Sequence, residues 1–248
     1  MYKVMLITGA NKGIGYFITK SWLEKGNKAV VLDVNCDEIN KLKKLYDKLY
    51  TYICDVTDEK LVKVCVDESI NIYGRIDIAI HNACTCIFKG IEEHSLDEYI
   101  QTYNVNLIGA VNLTKAVLPH MRKSKNGRIC YVSSGVGVTG YTKISGYSAS
   151  KGAIEAFAKC MILENLDSGI SFHILHPPLT DTESSSPLPV PKEFKADAAK
   201  VGRGFVKNIL KKRFIITPSL FDSITVKISY WFPQFTGKML VKMTQKAK

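Results

Sequence analysis

The sequence predicts an α/β domain built on a doubly wound parallel sheet, and three observations carry the prediction. Seven short apolar runs alternate with segments of helical length. The runs are continuous in Val, Ile and Leu, as strands buried on both faces are, rather than alternating with polar residues. A glycine-rich turn stands between the first run and the first helical segment. Strands that alternate with helices need right-handed crossovers, which make neighbouring strands parallel. The pattern is that of a Rossmann-type sheet in a single domain.

The first strand is expected over 3–7 (KVMLI) and the first helix over 13–25. The next pairs are a strand at 28–32 (KAVVL) with a helix at 37–49, and a strand at 51–54 (TYIC) with a helix at 58–73. A strand at 76–80 (IDIAI) precedes a long helical segment at 96–122, and a strand at 128–133 (RICYVS) precedes a helix at 146–168. The last pair is a strand at 170–175 (ISFHIL) with a helix at 195–211, and a seventh strand at 213–217 (RFIIT) closes the domain. Three prolines within 184–192 (SSSPLPVPK) forbid a regular helix or central strand there. This segment is a surface loop, either a plain connector or a mobile flap over a pocket.

With 46% hydrophobic and 23% charged residues the composition is globular, which excludes wholesale disorder, collagen-like repeats and a disulfide miniprotein. Seven cysteines, an odd number without a C-x-x-C pair, read as reduced thiols packed mostly as small apolar side chains. The five histidines show no metal-ligand spacing, so no metal is expected; His173 and His176 bracket the end of the sixth strand. Met1-Tyr2-Lys3 leads straight into the first strand without the features of a secretory peptide. No apolar stretch of about 18 residues exists to span a bilayer. A cytoplasmic location is therefore expected.

The net charge of +11 is uneven. Residues 203–248 hold ten Lys or Arg and one acid, Asp222, so they carry +9 and the preceding 202 residues only +2. From Ser219 onward apolar residues (Leu220, Phe221, Ile224, Ile228, Trp231, Phe232, Phe235, Met239, Leu240, Met243) interleave with Lys227, Lys238, Lys242, Lys246 and Lys248, with a break at Pro233. Two units are expected: the Rossmann-type α/β domain over 1–217 and a basic amphipathic helical extension over 218–248. The extension either packs on the body or a neighbouring subunit, or lies against an anionic membrane surface. No recognised nucleic-acid motif accompanies the charge, so no nucleic-acid partner is expected.

Thr8-Gly9-Ala10-Asn11-Lys12-Gly13-Ile14-Gly15 opens the first helix. Glycines let the backbone turn sharply and approach a pyrophosphate, and the helix start offers free N–H groups and a favourable dipole. Asp33 ends the second strand, where a carboxylate accepts the ribose hydroxyls of NAD and repels the extra phosphate of NADP. Lys12 pulls the other way, as a cation able to hold that phosphate. NAD is the expected cofactor and NADP the alternative.

Tyr147 and Lys151 stand four residues apart on a helical segment and so share a face. An ammonium near a phenol lowers its pKa, and a phenol so tuned exchanges a proton with an alcohol or ketone oxygen. Ser134 follows the fifth strand, at the strand ends where open α/β sheets bind ligands; its neighbour Ser133 is the alternative hydroxyl. Asn106 lies inside a long helical segment, where it either caps or kinks the helix or anchors a water chain to Lys151. Cys84 and Cys86 suggest a thiol site less than they suggest packing.

Together these residues resemble the short-chain dehydrogenase/reductase (SDR) family over roughly 1–217. The T-G-x-x-x-G-I-G turn is residues 8–15, and Asn106, Ser134, Tyr147 and Lys151 match the family's tetrad in order and spacing. The resemblance implies Tyr147 as acid/base, Ser134 orienting the substrate oxygen, Lys151 on the nicotinamide ribose and tuning Tyr147, and Asn106 holding a relay water. It implies Asp55-Val56 at the adenine, and Asn82-Ala83 at the cofactor after the fourth strand. Pro177, Thr180 and Thr182 are implied near the nicotinamide. It further implies hydride transfer between NAD(P) and a secondary alcohol or ketone, and a homodimer or homotetramer. A non-catalytic dinucleotide-binding regulatory or scaffold protein is the alternative, which the intact tetrad disfavours. Two departures stand out. Cys84 replaces the glycine of Asn-Ala-Gly, and Pro177-Pro178 replaces Pro-Gly. The stretch from His176 to Thr182 is similar to that of ketosphinganine-type reductases of the same family, and a membrane-facing tail would suit a lipophilic substrate.

Overall fold

β1 (Val4–Thr8) is buried along its whole length, and its side chains divide between two cores. Met5 and Ile7 point into one, Leu6 into the other. That division gives a sheet covered on both faces, and the other strands follow it. They are β2 (Lys28–Asp33), β3 (Leu49–Ile53), β4 (Ile78–His81), β5 (Gly127–Val132), β6 (Ile170–Leu175) and β7 (Ile215–Ile216). All pair in parallel, in the order β3-β2-β1-β4-β5-β6-β7. The computed structural model describes residues 2–188 and 190–245. Pro189 of the proline-rich loop, Lys246 and Lys248 lie outside the described residues.

The helices are α1 (Gly13–Glu24), α2 (Asp37–Asn40), α3 (Glu59–Tyr73), α4 (Leu96–Tyr103), α5 (Gly109–Ser124), α6 (Gly135–Thr139), α7 (Ser145–Glu164), α8 (Ala198–Asn208), α9 (Leu220–Trp231) and α10 (Pro233–Gln245). Trp22 of α1 and Phe205 of α8 fill the core on the Met5 side. Val62 of α3, Leu113 of α5 and Ile154 of α7 fill the other. Capping fixes several starts. The Asp58 side chain accepts the Leu61 amide, and Ser95 and Glu98 form a reciprocal capping box at α4.

Two expectations change. The helix expected over 37–49 is only α2 plus a 3-10 turn at Lys41–Lys44, because Ile39 and Leu42 are its only buried apolar anchors while Leu45 is exposed. The long segment 96–122 is α4 and α5 joined by a π turn at Asn104–Ile108. The tail follows β7 as α9 and α10, which pack on each other and on α6. Among the described residues no helix is long and apolar enough to cross a membrane.

Candidate active site

From β1 the chain winds outward through β2 to β3, then returns to β4 on the other side of β1. The carboxyl ends of β1 and β4 therefore part at a topological switch point, where open α/β sheets hold ligands.

The turn after β1 is shaped by close backbone approach. Gly9 has φ +65°, and a Cβ there would lie 2.4 Å from the Ala83 Cα. A Cβ on Gly15 would lie 2.6 Å from the Asn82 side-chain nitrogen. Asn82 Nδ2 donates to the carbonyls of Thr8 and Gly9, while Thr8 Oγ1 accepts the amides of Asn82 and Ala83, both at 3.1 Å. The turn and the end of β4 are thus one rigid floor. Helix α1 starts at Lys12 with no side-chain cap and no acid in its first turn, so its first amides stay available to an anion. Ile14 packs against the core and holds this start down. Residues 8–15 fit the pyrophosphate of a dinucleotide: the cradle closes where a side chain would fill it, and donors line its rim.

Asp33, at the end of β2, is oriented by two amides. Asn11 N–H donates to Oδ2 (2.8 Å) and Asn35 N–H to Oδ1 (3.2 Å). The Asn11 Oδ1 accepts the amides of Glu38 and Ile39, so the same residue anchors the start of α2. Lys12 is exposed and its ammonium pairs with Glu183 Oε2 at 2.9 Å, which holds the Lys12 pKa above its ordinary value. Asp55 is exposed after β3 with Oδ1 on the Thr57 amide and hydroxyl; Val56 is buried, and its carbonyl accepts Asn112 Nδ2.

Ser134, Tyr147 and Lys151 come together at the ends of β5 and α7. The Lys151 ammonium lies 5.5 Å from the Tyr147 ring centroid. It donates to the Val132 carbonyl at 2.8 Å and is buried. Burial, with the Cys84 and Cys86 thiols alongside, holds the Tyr147 phenol well above its ordinary pKa, and a hydrogen bond with Ser134 works against that rise. The expected lowering by Lys151 is therefore not what this arrangement gives. The ammonium is held on the Val132 carbonyl beside the ring, and burial lowers its own pKa.

Asn106 sits in the π turn, fully buried. Its Oδ1 accepts the Thr85 amide (2.8 Å), and its Nδ2 donates to the Thr85 carbonyl (3.0 Å) and to Ser150 Oγ (2.9 Å). Ser150 Oγ donates to the Tyr147 carbonyl. The amide is used up tying the 84–86 segment to α7. His81 meets the Asn106 carbonyl through Nε2 (3.1 Å) and Thr8 Oγ1 through Nδ1 (3.2 Å). A carbonyl only accepts, so Nε2 carries the proton and Thr8 donates to Nδ1.

The sequence reading missed a buried cluster behind Ser134. Glu155 lies one helical turn beyond Lys151. Its carboxylate accepts Ser133 Oγ (2.7 Å) and the Tyr230 hydroxyl from α9, and faces His176 Nε2 at 3.8 Å. Ser133 is thus committed to Glu155, which leaves Ser134 as the hydroxyl beside Tyr147. The spacing Tyr147-Lys151-Glu155 was a visible signal; the Tyr230 contact had none. After β6, Thr180 Oγ1 donates to the Pro178 carbonyl, Pro177 is half-buried, and Thr182 stands over Gly13. The Lys12–Glu183 pair ties this loop across the glycine turn, so its 3-10 turn at Glu183–Ser185 straps the crevice.

The sequence profile of the short chain dehydrogenase family matches residues 3–191. The chain is 33% identical to the L-fucose dehydrogenase of Bos taurus over 71% of its own length and 65% of that protein. It is 35% identical to the 3-ketodihydrosphingosine reductase of Bacteroides thetaiotaomicron over 65% of its length and 58% of that protein. The chain therefore spans less than two thirds of each of these relatives. The crystal structure of a short chain dehydrogenase from Burkholderia cenocepacia J2315 in complex with NADP superposes with a TM-score of 0.83 at 19% identity, covering 96% of this chain and 97% of that one.

Proposed function

The chain belongs to the short-chain dehydrogenase/reductase family of NAD(P)-dependent oxidoreductases, and on that premise we propose that it moves a hydride between the nicotinamide and a secondary alcohol or ketone. The observation that carries this is the grouping of Ser134, Tyr147 and Lys151 on one wall at the strand ends. A small-molecule substrate follows from the family. When bound, NAD(P) supplies or accepts the hydride.

The chain's residues do the rest. Gly9, Gly13 and Gly15, with the α1 amides, hold the pyrophosphate. Asp33 takes the ribose hydroxyls, Asp55 and Val56 the adenine, and Asn82 and Ala83 the floor. Pro177, Thr180 and Thr182 frame the nicotinamide end. Ser134 holds the reacting oxygen. Tyr147, kept protonated by burial, donates its proton to a carbonyl oxygen, so the resting site suits ketone reduction. Lys151 fixes the wall through Val132, and Asn106 is a positioning residue that locks the 84–86 segment to α7.

NAD is the favoured cofactor, because Asp33 is pre-oriented and Lys12 is already paired with Glu183. The finer reading has a lipophilic substrate, in keeping with the ketosphingoid relative, two or four copies per assembly, and a cytoplasmic position with the tail at a membrane surface. The test is absorbance at 340 nm with a panel of ketones and alcohols. Tyr147→Phe is expected to lower turnover at least about 100-fold while nucleotide binding, followed by fluorescence, persists. Equal turnover by both forms would remove Tyr147 from the mechanism.

A further inference from the structure

α9 and α10 spend one face on the body. Val226 is buried, Tyr230 reaches Glu155, the Tyr141 hydroxyl meets Thr244 Oγ1 at 2.7 Å, and a Cβ on Gly237 would lie 2.7 Å from the Thr139 carbonyl. The helices are therefore fixed in orientation, and their other face is left in water. That face is strongly apolar. Phe221, Ile224, Ile228 and Trp231 form a stripe on α9 at helical spacing, and Phe235, Met239 and Met243 form one on α10, with Phe232 between. Phe221, Trp231 and Phe235 are 76%, 73% and 67% exposed. A patch of this kind on a water-exposed surface marks an interaction site.

The charges select the occupant. Lys227 sits three residues after Ile224 and four before Trp231; Lys238 and Lys242 stand three residues beyond Phe235 and Met239. The one acid on the two helices, Asp222, is held at the start of α9 by Ser219 Oγ at 2.6 Å. A second copy docked on this face would bring lysines onto lysines, and interface cores are depleted in Lys. Nucleic acid would answer the lysines but leave the aliphatic and methionine side chains uncovered. A lipid surface answers both: rings and methionines enter the acyl boundary, while lysine stems lie along it and carry their ammonium groups to the phosphates.

We propose that the outer face of α9–α10 docks on an anionic phospholipid bilayer. This deepens the peripheral-membrane reading above by naming the face and the lipid charge. Docking stands independently of hydride transfer. Only its consequence rests on that reading: α6, which starts right after Ser134, packs against both tail helices, so the crevice lies beside the bilayer.

The test is co-sedimentation of the whole protein with vesicles of phosphatidylcholine alone or mixed with phosphatidylserine, at low and high salt. The wild type is expected to pellet with the mixed vesicles, and far less with the neutral ones or at high salt. Trp231→Ser with Phe235→Ser is expected to weaken pelleting at least about tenfold. Lys238→Glu with Lys242→Glu should do so only on the anionic vesicles, by roughly fivefold or more per lysine. Unchanged circular dichroism melts and unchanged turnover on a water-soluble substrate confirm that each variant is folded. Wild type left in the supernatant with both vesicles, or variants that pellet like wild type, would overturn the proposal. So would light scattering in which the aromatic variant splits a dimer that shows no vesicle binding, since a second copy would then be the occupant. A wild type that pellets but never turns over would sink only the oxidoreductase reading.

Discussion

At Asp33 two backbone amides each occupy one lone pair of a carboxylate oxygen, which fixes the carboxylate at the end of β2. A pre-oriented acceptor discriminates more than a mobile one, because it loses no freedom on binding. Asp33→Ser is therefore expected to weaken NADH roughly tenfold relative to NADPH, about 1.4 kcal/mol, read by nucleotide titration. An unchanged NADH-to-NADPH ratio would move the discrimination to Lys12 and its partner Glu183. Asn106 shows how little a lone residue reveals in the sequence. Both a kinked helix and an anchoring amide were open there, and the structure has a π turn and an amide clamped on Thr85 and Ser150.

α7 presents Tyr147, Lys151 and Glu155 at successive turns of one face: the Lys151 ammonium lies beside the Tyr147 ring and on the Val132 carbonyl, while Glu155 takes Ser133. Glu155 is a buried carboxylate whose nearest cationic candidate, His176, is itself kept neutral by burial, its pKa lowered to about 4. Its charge then depends on two hydroxyl donors, Ser133 and Tyr230. Tyr230→Phe leaves the carboxylate one donor short and is expected to cost about 1–3 kcal/mol in urea unfolding. In the Glu155→Gln background the same change should cost measurably less, because the buried charge is gone. Additive losses would show that Tyr230 acts by packing alone. The α2 region fails as a helix for an equally local reason: its fully buried apolar positions end at Leu42, Leu45 is exposed, and the chain must still reach β3 by Leu49.

Across the molecule three imidazoles, His81, His173 and His176, are buried and neutral. Burial lowers their pKa values to about 3, about 4 and about 4, aided at His81 by Lys151 and at His173 by Arg128. In the unfolded chain they take up protons near the ordinary 6.5, so below that pH the unfolded state binds more protons than the folded one. Stability is fully present above about pH 6.5 and is expected to fall as the pH drops toward 4, at about 1.4 kcal/mol for each pH unit and each histidine. Urea midpoints at neutral and mildly acidic pH check this; a flat profile between them would mean that the imidazoles stay wet. The two-core arrangement raises the stakes, since His81 joins β4 to the glycine turn and to the π turn at once.

Strand identity, the doubly wound class, the glycine turn and the Tyr147–Lys151 pair were all legible in the chain because each is written in local terms: apolar runs, glycine spacing and an i, i+4 relation. Tertiary structure alone decided that the Lys151 ammonium settles on Val132, that Ser133 is taken by Glu155, that Lys12 is paired with Glu183 across the glycine turn, and that Tyr230 of the tail reaches Glu155 of α7. These contacts join residues from about twenty to more than a hundred positions apart. Which polar groups meet there depends on how the elements pack, and no short-range periodicity records it.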